Sequence, residues 1–291
     1  MSSTVHEAYF DQFQEGFFEL LEQKNSKVMG RHPTKDEKGR YHYFDTVGSV
    51  EVEKVTQRLQ PTNLQDVPHA KRVAEMHYYA AYVSIDDYDK IQMLSDPTSV
   101  YATKITTGQA RQFDTSSFKA LYGTASTGLG LTGTADLDSG NKIAHNSEGF
   151  TIAKFHQAVR ILEEFEVDTD SDEVVCYTKP SAIEDMFTDS THSAQFASFD
   201  YRQRKMLDDN GEMTFRGVVL CKTNRIPDIT SGTTRRALMC TRDSLSIGIN
   251  RNLKLETVVR GDLSNAIQLS SKFAHAQVRT EEDSVVEMAY Q

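Results

Sequence analysis

The chain has 291 residues and a formal net charge of −10 at pH 7, with a sequence pI of about 5.4. This acidic balance argues against a dedicated nucleic-acid-binding protein, since those are usually basic. Mean hydropathy is −0.51, and neither a signal peptide nor an apolar run of ~20 residues is visible, so we expect a soluble protein that is not secreted.

The N-terminal residues predict an amphipathic helix that ends near Lys24. Thr4 to Glu7 match a capping box. Apolar residues then recur at helical spacing: Val5, Ala8, Tyr9, Phe13, Phe17, Leu20 and Leu21. The stretch 30–38 is basic and contains proline, which predicts a mobile connector.

Two stretches with the period of a β-strand follow, residues 41–56 and 72–85. In each, successive side chains would point to opposite faces of the strand. One face of the second stretch carries Met76, Tyr78, Ala80 and Tyr82. They predict two long paired strands around a proline-containing tip. A free hairpin of that length is only marginally stable in water and needs another surface to lie against.

The next segment predicts a long helix. Asp96 is a good N-cap residue, Pro97 suits a first helical turn, and Gly123 suits a left-handed C-terminal residue. A helix from Pro97 to Tyr122 would be about 39 Å long. Its apolar residues alternate with many Thr, Ser and Gln residues, which favours a position along a sheet or a subunit boundary over one inside a core.

Residues 124–149 are rich in Gly, Ser and Thr and predict a long loop. Within it, Gly128 to Gly133 match G-x-G-x-x-G, but a dinucleotide site needs that motif between a strand and a helix. Here the motif follows a helix and leads into more loop, so we expect no nucleotide.

The second half of the chain predicts a mixture of helices and strands. Its two predicted helices run from Ile152 to Phe165 and from Ser181 to about Thr188. Asp208 to Gly211 is a hairpin-turn signal. The predicted strands are Val174–Thr178, Phe215–Thr223, Leu238–Thr241, Leu245–Ile249, Leu253–Arg260, Ile267–Phe273 and Val285–Tyr290.

Several short motifs have a plainer explanation than a binding site. Asp168, Asp170 and Asp172 open like a calcium loop, but Glu173 and Lys179 occupy the positions that need Gly and Glu. Three further features are also explained by an ordinary structural role. The Arg260-Gly261-Asp262 tripeptide is first of all a turn, His156 is a core or boundary histidine, and the basic cluster Arg202, Arg204 and Lys205 suits solvent or intersubunit ion pairs.

No chemistry is indicated by the remaining candidates. Cys176, Cys221 and Cys240 are isolated and outside any C-x-x-C spacing, which is typical of buried thiols made in a reducing cytoplasm. The nine histidines are scattered, and no nucleophile motif is present. We therefore assign no catalytic, cofactor-binding or metal-ligating residue and expect no cofactor.

Three short motifs follow one another along the chain. They are V-x-I-D-D-x-D at Val83 to Asp89, A-R-x-x-D at Ala110, Arg111 and Asp114, and A-L-x-G at Ala120, Leu121 and Gly123. In this order they resemble motifs of tailed-phage major capsid proteins. Arg111 and Asp114 are three residues apart on the predicted helix, where they can form a solvated ion pair.

This resemblance implies the α+β fold of Hong Kong phage-type capsid proteins, which herpesvirus shells and encapsulins share. In that fold the chain would divide into five parts. These are an N-terminal arm (1–38), an extended β-hairpin loop (39–85), a peripheral domain with a spine helix (86–147), an axial domain (148–235) and C-terminal strands that close both domains (236–291).

The resemblance also implies a structural protein of the virion and not an enzyme. Copies made in the host bacterial cytoplasm would form pentamers and hexamers of an icosahedral head around double-stranded DNA. Scaffold, portal and decoration proteins would be partners, DNA would be contacted non-specifically, and no membrane is involved. The N-terminal apolar stripe would dock on an adjacent subunit.

Two alternatives are an encapsulin-type nanocompartment shell and a soluble α+β nucleotide-binding enzyme that uses the glycine-rich loop.

Overall fold

Three β-sheets and three α-helices make up the described part of the chain. The computed structural model describes residues 25–36, 38–48, 50–52, 54, 64, 66–86, 98–167, 173–188, 213–230 and 232–291. The helices are α1 (Thr98–Tyr122), α2 (Ile152–Glu164) and α3 (Pro180–Thr188).

The first sheet, called the long sheet here, has four strands in the order β1-β12-β13-β4. Its strands are β1 (Thr34–Asp36), β12 (Leu245–Arg260), β13 (Ala266–Arg279) and β4 (His77–Ile85). β12 and β13 form a long antiparallel hairpin, and β4 lies antiparallel to β13 at one edge. The register of β12 shifts between Ile249 and Lys254, which is a bulge in an otherwise continuous strand.

The second sheet, called the mixed sheet, has six strands in the order β7-β14-β11-β8-β10-β9. They are β7 (Lys142–Ile143), β14 (Val285–Tyr290), β11 (Arg235–Thr241), β8 (Val174–Thr178), β10 (Val218–Lys222) and β9 (Met213–Phe215). Every residue of β8 and β14 is buried, so both faces of this sheet are covered. Residues of α2 and α3 pack on one face, and residues of α1 and the long sheet pack on the other.

The third sheet, called the small sheet, has the order β2-β3-β5-β6. Its strands are β2 (Tyr41–Val47), β3 (His69–Glu75), β5 (Ala125–Thr127) and β6 (Gly133–Ala135). Phe44 and Ala74 of this sheet pack against Ala276 and Val278 of β13, which fixes the small sheet to the end of the long one.

α1 lies along the long sheet, as its sequence predicts. Its apolar side chains Ile105, Phe113 and Phe118 are buried, and the Phe113 ring lies 5.8 Å from that of Phe273 in β13. Many of its hydroxyl groups bond to the helix itself: Thr107 donates to the Thr103 carbonyl and Ser117 to the Phe113 carbonyl. Polar residues can therefore occupy the buried side of this helix without unsatisfied hydroxyl groups.

The C-terminus of α1 is held by a buried arginine. Arg279 of β13 is fully buried, and its guanidinium donates to the carbonyl oxygens of Leu121 at 2.8 Å, Gly123 at 2.7 Å and Ala135 at 2.9 Å. A cation at this end also complements the helix dipole. Burial lowers the pKa of Arg279, while Glu282, 3.6 Å away, opposes that shift.

The structure corrects the prediction of one long strand over residues 72–85. The chain makes β3 in the small sheet, passes Met76, and makes β4 in the long sheet. The Met76 amide donates to the Arg40 carbonyl at 2.9 Å, which marks the point where the chain changes sheets. The predicted partner strand 41–56 is also shorter, since β2 ends at Val47. The two stretches are therefore parts of larger sheets and not a free two-stranded hairpin.

Four local predictions are also wrong. Residues 124–149 are not one long loop, because β5, β6 and β7 lie within them. Residues 30–38 are not a mobile connector, because β1 pairs with β12. A tight turn at Arg216 and Gly217, both with positive φ, interrupts the predicted strand 215–223. Gly123 is not left-handed; a Cβ there would lie 2.5 Å from the Lys119 carbonyl oxygen, and this close approach requires glycine.

Other elements match their predictions closely. β8 and β14 have the predicted bounds, and α2 and α3 differ from theirs by one residue at one end. α1 begins at Thr98. The N-terminal helix, the Asp96-Pro97 helix start and the turn signal 208–211 lie outside the described residues.

We expect Arg279→Leu to lower the free energy of unfolding by about 3–5 kcal/mol, because the three carbonyl groups and Glu282 would lose a buried charged partner. Urea unfolding of the purified subunit measures this change. Arg260→Leu is the matched control: Arg260 is partly exposed at the end of the same hairpin and pairs with Asp262, so its loss should destabilise the subunit far less than the loss of Arg279. Equal losses for the two variants would contradict the anchoring role of Arg279.

His275 predicts how stability depends on pH. Its ring lies 4.7 Å from the Tyr79 ring and 5.1 Å from the Phe113 ring, and burial, followed by the charge of His77, lowers its pKa from 6.5 to about 4. The unfolded chain therefore binds a proton at this position that the folded chain does not bind. We expect the free energy of unfolding to fall by about 3 kcal/mol as pH decreases from about 6.5 to about 4.

His275→Phe should remove this contribution and flatten that part of the profile, as measured by denaturant unfolding across the pH range. His77→Phe, which changes the exposed residue opposite it on β4, should keep most of the wild-type slope, because burial is the larger of the two causes that lower the pKa of His275. A wild-type slope in His275→Phe would show that another group titrates in this range.

Candidate assembly surfaces

The N-terminal segment is fixed to α1 by Asp114. The Asp114 carboxylate accepts hydrogen bonds from the amides of Lys27 at 3.0 Å and Val28 at 3.4 Å, and from the Ser26 hydroxyl. Asp114 is fully buried, so the predicted solvated position at the helix surface is wrong for this residue. The aspartate of the A-R-x-x-D motif binds the backbone of the segment that enters the body.

His32 fixes the same segment to the mixed sheet. Its Nδ1 lies 2.7 Å from the Arg242 carbonyl oxygen and its Nε2 lies 3.1 Å from the Tyr177 hydroxyl. A carbonyl oxygen only accepts, so Nδ1 carries the proton and Nε2 accepts from Tyr177. Burial lowers the pKa of His32 and raises that of Tyr177, so both groups stay neutral in this pair. The segment is therefore part of the rigid body from Ser26 onward.

Lys154 holds the end of the mixed sheet together. Its ammonium group donates to the carbonyl oxygens of His145 at 2.7 Å, Gly149 at 3.1 Å, Glu148 at 3.2 Å and Ala289 at 3.4 Å. Burial lowers the pKa of Lys154, while the four carbonyl dipoles favour the charged form. One side chain of α2 thus ties the loop before it to β14.

Exposed apolar side chains gather on three parts of the surface. The first follows β2, where Val52 is 96% and Leu64 88% exposed. The second is the outer face of the long sheet, with Tyr78, Tyr82 and Val258. The third is the tip of the β12–β13 hairpin, with Leu263. Single exposed apolar residues are ordinary, but groups of them mark surfaces that bind other molecules.

The outer face of the long sheet confirms the predicted alternation in β4. Tyr78, Ala80 and Tyr82 are exposed, whereas Ile85 on the opposite face is buried and packs with Ile105 of α1. The predicted face is therefore correct for these three residues and is the outward one, whereas Met76, the fourth residue predicted on it, packs against buried residues of the small sheet.

The glycine-rich motif is a β-hairpin and not a nucleotide loop. β5 and β6 pair with each other, and Gly128 and Gly130 in the turn between them have φ of +77° and +72°. The Gly128 amide donates to the Lys71 carbonyl at 3.1 Å. The strand-to-helix setting that would bind a pyrophosphate is missing.

The other singled-out residues have structural roles. All three cysteines are buried in the mixed sheet, and burial raises the pKa of Cys240 to about 12. His156 lies at the boundary, with its Nδ1 3.1 Å from Arg216. Arg260 pairs with Asp262 across the predicted turn.

Two predicted features lie outside the described residues: the acidic run Asp168, Asp170 and Asp172, and the basic cluster Arg202, Arg204 and Lys205. Among the residues that are described, no group of three or more His, Cys, Asp and Glu side chains is placed to hold a metal ion. None of the described helices is long and apolar enough to span a membrane.

Sequence reasoning missed the buried anchors Arg279, His32 and Lys154. Each has a partner far along the chain, 210 residues away for His32, 158 for Arg279 and 135 for Lys154. Only the burial of Lys154 could have been suspected from the sequence, because it is next to Phe155 on the apolar side of a correctly predicted helix.

Comparison with known proteins gives one family over nearly the whole chain. The model of the phage capsid protein family matches residues 5–291. A search of curated proteins finds no match.

Solved structures share the fold. The capsid structure of cyanophage P-SCSP1u is 16% identical, with 97% of this chain and 94% of that chain covered and a TM-score of 0.65. The capsid of cyanophage Pam1 is 11% identical, with 96% of each chain covered and a TM-score of 0.70. The head structure of Helicobacter pylori bacteriophage KHP40 is 6% identical, with 94% of each chain covered and a TM-score of 0.71.

Proposed function

The chain belongs to the phage capsid protein family, and from this membership we propose that its copies form the pentamers and hexamers of an icosahedral head around double-stranded DNA. It is a structural subunit of the virion and not an enzyme. The observation that carries the proposal is the family match over residues 5–291. That match favours a phage shell over an encapsulin-type compartment or a nucleotide-binding enzyme.

The proposed division of the chain has five parts: an N-terminal arm (1–38), an extended loop (39–85), a peripheral domain with a spine helix (86–147), an axial domain (148–235) and closing strands (236–291). Three observations support it. α1 is a 25-residue helix within the part assigned to the spine helix. Val50 and Val52 extend beyond β2 with exposed side chains. The closing strands contribute to both the long and the mixed sheet.

The extended loop would lie across a neighbouring subunit. The structure supports this role because apolar side chains after β2 are exposed in a single copy, and burying a valine side chain contributes about 1.5–3 kcal/mol. Each contact repeats at every copy of the interface, so a modest gain per subunit stabilises the whole shell.

Contacts with DNA would be non-specific and weak. The net charge of −10 opposes tight binding to a polyanion, because affinity for DNA comes largely from cationic side chains. A shell of this kind confines DNA without immobilising it. Scaffold, portal and decoration proteins are further proposed partners of the assembled head.

The test is assembly of the full chain, produced alone or with a scaffold protein and imaged by negative stain. We expect closed shells from the wild type. Phe13→Asp with Phe17→Asp should leave the circular dichroism spectrum of the subunit nearly unchanged and abolish closed shells, because each buried Phe contributes about 1.5–3 kcal/mol at every interface.

Gln12→Asp with Gln14→Asp is the matched control, with the same added charge beside the apolar stripe, and it should still assemble. All four positions lie outside the described residues. Normal shells from the Phe13/Phe17 variant, or its unfolding, would show that this segment is not an assembly arm. A wild type that never closes into shells would refute the proposed function.

A further inference from the structure

A cavity of about 260 Å³ lies where the last two turns of α1 meet the start of β4 and the adjoining part of β13. Apart from Ala120, its lining is polar, and it contains no acidic side chain. The polar residues that line it are His77, Tyr79, Ser116, Lys119, His275 and Gln277. Because these residues come from three separate elements, the cavity exists only in the folded subunit.

Two of these residues are histidines that lie opposite each other. His77 in β4 and His275 in β13 are direct partners in the antiparallel register, so their side chains lie on the same face of the sheet. His77 is exposed and His275 is buried. After burial, the charge of His77 is the second cause that lowers the pKa of His275, which indicates that the two rings are close to each other.

The buried histidine has an unused polar atom. His275 is only 2% exposed, and its Nε2 has no hydrogen-bond partner in the described part of the chain. The Tyr79 ring stacks on the imidazole at 4.7 Å, so a partner has to approach the ring edge that carries the nitrogen atoms. A buried polar atom without a partner is unfavourable, and a group bound in the cavity could supply one.

The charges of the lining indicate which kind of group would bind. Lys119 is exposed and forms no ion pair within the described residues. Glu75, the acidic residue nearest to His77 in the sequence, pairs with Arg40 at 3.2 Å. A cation in the cavity would be repelled by the Lys119 ammonium group, with no carboxylate in the lining to offset it. An anion would be attracted by it and could accept a hydrogen bond from a neutral imidazole N–H.

Hydroxyl groups add a further donor. The hydroxyl oxygens of Tyr79 and Ser116 lie 3.3 Å apart, and Gln112 donates to the Ser116 oxygen at 3.4 Å. A bond between two hydroxyl groups uses only one of their two protons, so the other proton remains available for a ligand. The Gln277 amide nitrogen is already engaged, since it donates to the Ser117 hydroxyl at 2.7 Å.

We propose that this cavity binds a small phosphate-type oxyanion, either inorganic phosphate or a phosphate monoester, through Lys119, His77 and the Nε2–H of His275. Hydrogen bonds from charged donors to an anion are about twice as strong as neutral ones. The bound anion would join the end of α1 to both β4 and β13. It would also give the buried Nε2 a partner and neutralise the charge of Lys119.

Two physical points limit the ligand. The dipole of α1 opposes an anion near its C-terminus, but Arg279 already binds the free carbonyl groups there, which reduces this cost. Duplex DNA is too wide to bring a backbone phosphate to a side chain as buried as His275. The site is therefore distinct from the weak DNA contacts proposed above. It also needs no second copy, so the inference does not rest on the proposed function.

Thermal unfolding of the full-length, unassembled subunit with added inorganic phosphate tests the site. We expect the melting temperature to rise by about 3–5 °C at a phosphate concentration about tenfold above the dissociation constant, compared with sodium chloride of equal ionic strength. Lys119→Gln and His275→Phe should each lose most of this rise. The first removes an exposed charge, and the second keeps an aromatic ring but removes its nitrogen atoms.

Lys104→Gln is the matched control. Lys104 lies on the same helix and outside the lining of the cavity, so this variant should keep the full rise. An equal rise in all three variants would overturn the proposal, because it would reflect the general exclusion of phosphate from the protein surface. Absence of any rise in the wild type would overturn it as well.

Two further ligands test the chemical class. Zinc chloride should not stabilise the subunit through this cavity. A rise in melting temperature with zinc that His77→Gln abolishes would make the cavity a metal site and overturn the proposal. Duplex DNA at the same total phosphate concentration should give no rise that depends on Lys119, and a rise equal to that with inorganic phosphate would also overturn it. Shell assembly by the wild type decides the proposed function separately from all of these results.

Discussion

The buried guanidinium of Arg279 is the interaction on which the arrangement of this subunit depends. It belongs to β13 of the long sheet, and it bonds to the C-terminal carbonyl groups of α1 and to Ala135 in the small sheet. Burying a charge is costly unless it is fully paired, so this residue is stable only when all three elements are in place. These contacts fix the C-terminal end of α1 against the long sheet.

The other buried polar groups act in the same way, by binding backbone groups of other segments. Asp114 binds the amides after Ser26, His32 binds the Arg242 carbonyl, and Lys154 binds four carbonyl groups. Each joins segments that are distant in sequence, so each requires the correct fold. The result is a rigid body that leaves one sheet edge and several apolar side chains uncovered. A well-packed interior with an uncovered edge suits a subunit that buries further surface against other copies.

Much of the secondary structure could be predicted because it is encoded locally. The apolar periodicity of α2 and the apolar runs of β8 and β14 are visible in short windows of sequence. The change of sheet at Met76 was not predictable this way, because β4 is defined by pairing with β13, nearly 190 residues later in the chain.

Amide hydrogen exchange, measured before and after assembly, tests this account most directly. It shows whether the sheets are fully formed in a single copy and whether the edge strand β4 is covered only when another copy binds. We predict that amides of β13 and β14 are protected in both states, since their partners lie within the subunit. Outward amides of β4 and those of residues 50–52 should exchange rapidly in the free subunit and become protected in shells. Unchanged, rapid exchange of β4 in closed shells would contradict this account.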